Sequence, residues 1–249
     1  MCNLYSMTRN QDAIRRLFKI TKDSAGNLPS FPSIFPNNPA PVVRSAGGER
    51  ELLTMYWGLP NPPQFGGYNT NIRNIASPHW RRWMKPESRC LVPVTSFSEY
   101  APEPNPATGK KDIVWFSIDD SRPLFAFAGL WTEWDGERGP KSKPAVTGKH
   151  LAYAFLTTEP NAVVAPIHQK AMPVILREDD WETWLTTEAK DAMRLQKPWP
   201  DDGLQIVARG SEKQDSAEMD QPPPEQDYGG GDIASLQAEP STDDDRPLD

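Results

Sequence analysis

Residues 124–134 read LFAFAGLWTEW, and the first eight of them are wholly apolar. A continuous apolar run of this length is typical of a strand that is buried on both faces of a sheet. Three further runs have strand character: CLVPVTSFSEY from position 90, DIVWFSI from position 112 and HLAYAFLTT from position 150. Strands therefore dominate the predicted fold.

Shorter segments add to this sheet. VVRSAG and ELLTMYWGL predict two strands joined by a tight turn at Gly47 and Gly48. AMPVIL and LQIVA are further candidate strands. Residues 28–41 and 59–70 are rich in proline, asparagine and glycine, which predicts irregular loops.

Helical patterns are short and lie between the strands. Residues 8–19 predict a helix capped by Thr8, and SPHWRRWM predicts a second helix with Ser77 as its cap and Pro78 at its first position. EDDWETWLTTEAKDAMRL predicts a third helical stretch. The fold class is therefore α+β: a single domain with a mixed, barrel-like β-sheet flanked by short helices.

The composition changes near residue 210. Residues 210–249 hold 12 acidic and 2 basic side chains and almost no large apolar ones, which predicts a disordered acidic tail. The whole chain carries a formal charge of −7, so residues 1–209, with 25 basic and 22 acidic side chains, carry +3. The predicted domain 1–209 is therefore slightly basic, and nucleic acid remains a possible partner.

Other classes of protein fit poorly. No stretch approaches eighteen apolar residues, and the first residues lack the pattern of a secretory signal, so we expect a cytoplasmic protein without a membrane span. The chain has two cysteines, Cys2 and Cys90, and three histidines, with no CxxC or HxxxH spacing. We therefore expect no metal, no cofactor and no disulfide framework, in a monomer.

Cys2 is the first candidate catalytic residue because of its position. Aminopeptidases remove Met1 when the second residue is small, which would leave an α-amine and a thiol on Cys2. The ordinary pKa values are about 8 for the amine and about 8.5 for the thiol, so both groups have reactive fractions near neutral pH. Such a 1,2-aminothiol reacts with an aldehyde to give a five-membered thiazolidine. Alternatively, Cys2 is an ordinary second residue.

Glu99 and His168 are the next candidates. Glu99 ends an apolar run between aromatic neighbours, where burial raises the pKa of a carboxyl group towards the range of a general acid or base. His168 lies at a junction between a helical turn and a strand, where catalytic groups are commonly placed. Alternatively, Glu99 is an exposed residue at the end of a strand, and His168 has a structural role.

A basic and aromatic segment follows position 70. Arginines and lysines bind phosphates, and exposed tryptophans stack on unpaired bases, so this segment predicts contacts with single-stranded DNA. The alternative is a solvated basic helix with its tryptophans turned inward. The candidate DNA-binding residues are Arg73, Trp80, Arg81, Arg82, Lys85 and Arg89.

Several short motifs in order resemble the SOS-response-associated peptidase (SRAP) family, whose members process abasic sites. They are Met-Cys at the start, WGL at 57–59, Asn-x-Arg at 71–73, RCLVP at 89–93 leading to Glu99, GLW at 129–131, TTEPN at 157–161, and Ile167-His168 before MPVIL at 172–176. The resemblance covers residues 2–208 and rests on the combination, since each motif alone is weak.

This resemblance implies a chemistry and a partner. Cys2 would form a thiazolidine crosslink with the ring-opened sugar of an abasic site in single-stranded DNA, and removal of Met1 would be an associated peptidase activity. Glu99 would act as general acid and base, His168 would help open the sugar, and Asn71 would orient the amine or the opened sugar. A lyase-type reversal would use the same residues.

Two other functions remain open. An N-terminal-nucleophile cysteine hydrolase would also use Cys2, with its own amine as the base, to cleave peptides or amides. A binder of single-stranded DNA would bind intact and damaged strands alike, with Cys2 playing no role.

Overall fold

The computed structural model describes residues 2–62, 64, 66–139 and 144–215, and strands make up most of this part of the chain. The strands in chain order are β1 Tyr5–Met7, β2 Lys22–Asp23, β3 Phe31–Ile34, β4 Pro39–Ala46, β5 Glu49–Trp57, β6 Leu59–Pro60, β7 Tyr68–Asn69, β8 Asn71–Ile72, β9 Arg89–Val94, β10 Ser96–Pro104, β11 Lys111–Ser117, β12 Phe125–Arg138, β13 Val146–Thr158, β14 Met172–Pro173, β15 Ile175–Leu176 and β16 Gln205–Gly210. The helices are α1 Gln11–Leu17, α2 Pro78–Arg81, α3 Trp181–Thr186 and α4 Ala189–Met193. Of the helices in this described part, none is both long enough and apolar enough to span a bilayer.

Five strands close into a barrel. Around it the order is β4, β5, β13, β12 and β9, and β9 pairs again with β4. All of these pairs are antiparallel except β5–β13, which is parallel and brings Tyr56 opposite Ala152. The barrel is therefore mixed, and the prediction of an α+β domain with a barrel-like sheet is confirmed.

The predicted hairpin and the long apolar strand both form. Gly47 and Gly48 have φ of 63° and 84°, in the left-handed region that favours glycine, and connect β4 to β5 as a two-residue turn. In β12 the first six residues are buried on both faces, whereas the later ones alternate towards solvent. The first half of β12 is therefore a strand of the barrel wall. Its second half pairs with β13 in an exposed two-stranded ribbon.

A second sheet of five strands covers the barrel. Its order is β16, β11, β10, β1 and β3, and all its pairs are antiparallel. Tyr5 and Phe97 of this sheet meet Phe127 and Phe155 of the barrel, with ring centroids 5.8–6.1 Å apart. The main core therefore lies between the barrel and this sheet.

The run CLVPVTSFSEY, predicted as one strand, forms parts of two. The chain bends at Thr95, which is fully buried and whose main-chain N–H donates to the carbonyl of Ser6 at 2.9 Å. Residues before the bend belong to β9 in the barrel, and residues after it belong to β10 in the second sheet. This bend carries Glu99 away from the barrel and into the sheet that contains β1.

The first helix and the first loop also differ from prediction. Helix α1 is capped by Asn10, whose side chain accepts from the Ala13 N–H at 2.8 Å. Thr8 does not cap it; its N–H instead donates to the hydroxyl of Thr95 at 3.2 Å, because Thr8 is buried against the second sheet. Residues 28–41 are not all loop, since they contain β3 and the start of β4.

Three other segments are more broken than their patterns indicate. The helical stretch after position 178 divides into a 3-10 turn, α3 and α4, because the backbone becomes extended at Thr187 and Glu188. AMPVIL forms two short strands, β14 and β15. The loop 59–70 contains the small β6–β7 pair, in which Pro60 lies opposite Tyr68.

The predicted tail begins as part of the fold. β16 ends at Gly210, and Asp215 is buried and accepts from the Arg122 guanidinium at 2.8 Å and from the Ser96 hydroxyl. Packing thus continues past the predicted boundary at residue 210. Residues 216–249 lie outside the described residues, and their predicted disorder stays a prediction.

Glu51 joins three elements near the barrel and gives a stability prediction. Its carboxylate is almost fully buried and is held by Lys22, Ser24 and Arg44 at 2.7–2.9 Å. Burial raises the pKa of Glu51, but the hydrogen bonds from these partners outweigh it and lower the pKa to about 2. The ionised form is therefore favoured in the folded state.

Glu51→Gln is expected to lower the free energy of unfolding at pH 7 by about 3.5 kcal/mol, since one pKa unit corresponds to about 1.4 kcal/mol and the pKa falls from 4.5 to about 2. The contribution of Glu51 is present above its ordinary pKa of 4.5 and is lost as the pH falls towards 2. Urea denaturation at pH 7 and pH 3 checks this. A deficit of the same size at both values would contradict the ion-pair explanation.

Candidate active site

Cys2 lies just before β1 and is 1% exposed. Its thiol donates to the carbonyl of Leu4 at 3.4 Å, and its own carbonyl accepts from the Asn71 amide at 2.8 Å. β1 pairs with β10, so that the Ser98 N–H donates to the Leu4 carbonyl at 3.0 Å. The segment of Cys2 is therefore fixed from two sides, by the second sheet and by Asn71.

The surroundings of Cys2 disfavour the ionised form of its thiol. Burial raises the pKa of the thiol well above its ordinary value, and the charge of Glu99 raises it further, while backbone hydrogen bonds at Leu4 and Ser98 only partly offset this. Burial thus disfavours the thiolate in the chain that carries Met1, whereas the expected reactive fraction concerned the trimmed chain and stays a prediction.

Glu99, on β10, lies close to Cys2. It is 7% exposed and lies opposite Val114 of β11, within an apolar sheet. Burial raises the pKa of Glu99 to about 7. This agrees with the prediction from its apolar neighbours. A carboxyl group with this pKa exists in both protonation states near neutral pH, so it can donate and accept a proton.

Asn71 reaches the site from the barrel. It begins β8, which pairs in parallel with β13 and places Asn71 opposite Phe155. Its amide N–H also donates to the Thr70 hydroxyl at 2.8 Å, whereas its Oδ1 atom is buried and has no hydrogen-bond partner among the described residues. A buried amide oxygen without a donor costs free energy, so this acceptor is suited to a donor that arrives with the substrate or with a new amino terminus.

His168 lies in the turn between β13 and β14. Its Nδ1 atom is 2.9 Å from the carbonyl of Ala171, and burial lowers the pKa of the ring. The Ala171 N–H also lies 3.3 Å from the same Nδ1 atom, so Nδ1 faces both an acceptor and a donor of Ala171 and these contacts fit either tautomer of the ring. The structure thus brings Cys2, Asn71 and Glu99 together, and the role of His168 at this site stays a prediction.

A pocket of about 430 Å³ opens beside Glu99. Leu4, Phe35, Tyr68 and Tyr100 are among the residues that line it. Tyr68 and Tyr100 are 38% and 54% exposed and are two of the most exposed large apolar side chains of the described residues. Sequence analysis missed both; the position of Tyr100 next to Glu99 was the available signal, while Tyr68 stands in a segment that reads as loop.

Two residues predicted to bind DNA are not available for it. Arg89 is fully buried on β9, where its guanidinium lies 5.5 Å from the Trp184 ring and donates to the carbonyl of Thr187. Trp80 is 8% exposed and packs against Trp83. The predictions of a phosphate contact by Arg89 and of base stacking by Trp80 are therefore wrong. Helix α3 covers Arg89, and Trp80 is packed into the core.

The other four cations of the basic segment are exposed. The Arg82 guanidinium carbon lies 4.1 Å from the centre of the Trp83 ring, and the Arg73 guanidinium makes a solvent-exposed pair with Glu159 at 3.6 Å. This segment adjoins the pocket wall, because the His79 ring donates to the carbonyl of Pro60 at 3.2 Å, and Pro60 pairs with Tyr68. Arg73, Arg81, Arg82 and Lys85 stay candidate phosphate contacts.

No group of three or more His, Cys, Asp or Glu side chains that could hold a metal ion occurs among the described residues. The site itself offers a thiol, a carboxyl group of raised pKa and an amide.

The fold and the site together define a protein with a cysteine near its amino terminus held beside a buried carboxyl group. The model of the family described as SOS response associated peptidase (SRAP) matches residues 1–210, and the chain belongs to this family. The resemblance seen in the sequence motifs is thereby confirmed.

Relatives and a solved structure agree with this placement. The chain is 28% identical over 204 residues to the abasic site processing protein YoqW of Bacillus subtilis, covering 79% of this chain and 85% of that protein. It is 29% identical over 235 residues to the abasic site processing protein YoaM of the same organism, covering 88% and 97%. A crystal structure of a protein from Bordetella bronchiseptica matches with a TM-score of 0.64 and 25% identity, over 85% of this chain and 99% of that one.

Proposed function

We propose that this protein processes abasic sites in single-stranded DNA by forming a covalent thiazolidine crosslink through Cys2, after Met1 has been removed. The observation that carries the proposal is that Cys2, which the Asn71 amide holds, lies close to Glu99, and that Glu99 lines an open pocket in a member of this family. The names of YoqW and YoaM support an abasic site as the substrate.

The protonation states support a definite order of steps. Because burial and the charge of Glu99 disfavour the Cys2 thiolate, the α-amine attacks the sugar aldehyde first and forms a carbinolamine. The protonated carboxyl group of Glu99 then donates a proton to the departing hydroxyl, which leaves as water and gives an iminium ion that keeps its N–H. The sulfur of Cys2 next bonds to the iminium carbon while the Glu99 carboxylate accepts the thiol proton, and the C=N electron pair returns to nitrogen to give the neutral thiazolidine.

The surroundings suit the opened sugar of an abasic strand. The buried Oδ1 of Asn71 can accept from the new amine or from a sugar hydroxyl, and the imidazole ring of His168 is the candidate base for opening the sugar ring. The exposed cations of the basic segment suit the flanking phosphates. Reversal of the same steps would release the DNA.

The alternative of a cysteine hydrolase has less support. Such enzymes attack with a thiolate, and their cysteines have lowered pKa values. Burial and the charge of Glu99 instead raise the pKa of the Cys2 thiol. An aminothiol that attacks first through its amine has no need of a thiolate.

Incubation of the Met1-trimmed protein with single-stranded oligonucleotides, followed by a denaturing gel, tests the proposal. We expect a shifted band with an abasic strand and none with an intact strand, and Cys2→Ala should abolish it. Cys90→Ala is the matched control, because Cys90 is also fully buried and its thiol pKa is likewise raised. A band that persists in Cys2→Ala, or that also forms on intact DNA, would refute the crosslink.

A further inference from the structure

We infer that Arg138 is a positioning residue that holds one wall of the Glu99 pocket in place for the DNA strand. The inference rests on the proposed function for its ligand. Arg138 ends β12 and does not line the pocket itself. It contacts Tyr68 and the loop that contains Phe35 and Pro36, and these do line the pocket.

The first contact is with the ring of Tyr68. Arg138 is 1% exposed, and its guanidinium carbon lies 4.8 Å from the Tyr68 ring and 4.5 Å from the Trp134 ring. A cation over an aromatic face is attracted by the ring electrons, and the attraction is stronger where water is excluded. The cation–π contact with Arg138 thus links the Tyr68 ring to the end of β12.

The same ring is confined by Gly58. A Cβ atom at Gly58 would lie 2.4 Å from Cδ2 of Tyr68, and the φ of Gly58 is +136°, which side chains rarely adopt. The Arg138 guanidinium also donates to the carbonyl of Gly58. One side of the Tyr68 ring therefore packs against the backbone of Gly58. The Arg138 guanidinium, which is hydrogen-bonded to the Gly58 carbonyl, contacts the same ring.

The second contact is with the loop before β4. Nη1 of Arg138 donates to Oδ1 of Asn37 at 3.3 Å, and the Asn37 N–H donates to the Trp57 carbonyl at 2.8 Å. Asn37 directly follows Phe35 and Pro36. One guanidinium thus joins both parts of the pocket wall, which lie far apart in sequence.

The cost of burying this cation supports a role beyond packing. A buried guanidinium is unfavourable unless it is fully paired, and Nε of Arg138 has no hydrogen-bond partner among the described residues. A methionine would fill similar space without that cost. The groups that an arginine alone can hold here, namely the Gly58 carbonyl, the Asn37 side chain and the Tyr68 ring, are those that fix the wall.

Arg138→Met in the trimmed full chain is expected to weaken binding of a single strand that carries a tetrahydrofuran abasic analogue by about tenfold, measured by fluorescence anisotropy. The rate constant of crosslinking at saturating abasic DNA should stay within about twofold of the wild type, since the reacting groups are untouched. Tyr68→Ala should weaken binding to a similar extent. The double variant should weaken binding by less than the product of the two single effects, because part of the effect of Arg138 passes through Tyr68.

Arg89→Met is the matched control, because Arg89 is also fully buried, also lies over a tryptophan and is removed from DNA contact by the structure. It should lower thermal stability without changing the dissociation constant. If Arg138→Met does not fold, Arg138→Lys replaces it in the test. Lysine keeps the charge but cannot hydrogen-bond to Asn37 and to the Gly58 carbonyl at the same time, as the planar guanidinium does, so this variant should also weaken binding. Unchanged binding in the folded variant, or full additivity with Tyr68→Ala, would overturn the inference. Absence of any crosslink in the wild type would instead refute the proposed function.

Discussion

A chain with one glycine inserted between Met1 and Cys2 is expected to form no stable crosslink with abasic DNA, although its thiol is unchanged. Trimming of such a chain places the α-amine on the glycine. That amine can still form an imine with the sugar aldehyde, but the thiol of Cys2 can no longer close a five-membered ring on it. The stable product requires both groups on one residue.

The readout is a denaturing gel, with and without borohydride. Without reductant the band should fall below detection, whereas borohydride should trap the imine of the glycine amine as a stable secondary amine. Mass spectrometry of the protein verifies the trimmed terminus, and a thermal melt verifies the fold. A preceding residue is compatible with the fold, because Cys2 is buried in a chain that carries Met1. A stable, reductant-independent band would show that the thiol alone suffices and would exclude the thiazolidine.

Glu99→Gln is expected to slow crosslinking by about 10²–10⁴-fold, the usual contribution of a general acid or base. Glutamine has nearly the same shape but cannot donate a proton to the departing hydroxyl. Because burial raises the pKa of Glu99 to about 7, the wild-type rate should lose its general-acid component as the pH rises through 7. This inflection should be missing from the variant in single-turnover measurements between pH 5 and 9.

Stability distinguishes this loss from misfolding. Between the ordinary carboxyl pKa of 4.5 and about 7, folded Glu99 holds a proton that the unfolded chain has released, so the wild type loses stability as the pH rises through this window. Glutamine has no such dependence. Glu99→Gln should therefore melt above the wild type at pH 8, with the difference shrinking towards pH 5. A variant that is less stable at pH 8 and equally slow at every pH would mark Glu99 as structural.

Local patterns predicted the elements that depend on neighbouring residues. The turn at Gly47 and Gly48 forms because two consecutive left-handed residues fit only a few residue types. The buried start of β12 follows from an apolar run that suits no half-exposed strand. The raised pKa of Glu99 follows from the apolar residues beside it.

Patterns failed where distant residues compete for the same group. Thr8 has a side chain that could cap a helix, yet it hydrogen-bonds to Thr95 instead. Asn10 caps α1 in its place. Arg89 has the charge of a phosphate contact, yet α3 covers it. Charge and hydrogen-bonding capacity are properties of a residue, whereas exposure depends on what packs over it.

The sequence by itself determined the strand-rich class, the barrel-like sheet and the residues that can carry the chemistry, because periodicity, turn chemistry and side-chain type are local. Only the tertiary structure decided that β5 closes the barrel by a parallel pairing with β13, and that the chain bends at Thr95 to carry Glu99 to Cys2. It also decided that burial raises the pKa of the Cys2 thiol and that Arg138 lies behind the pocket wall. These features depend on non-local packing, which removes groups from water and joins segments that no spacing in the sequence relates.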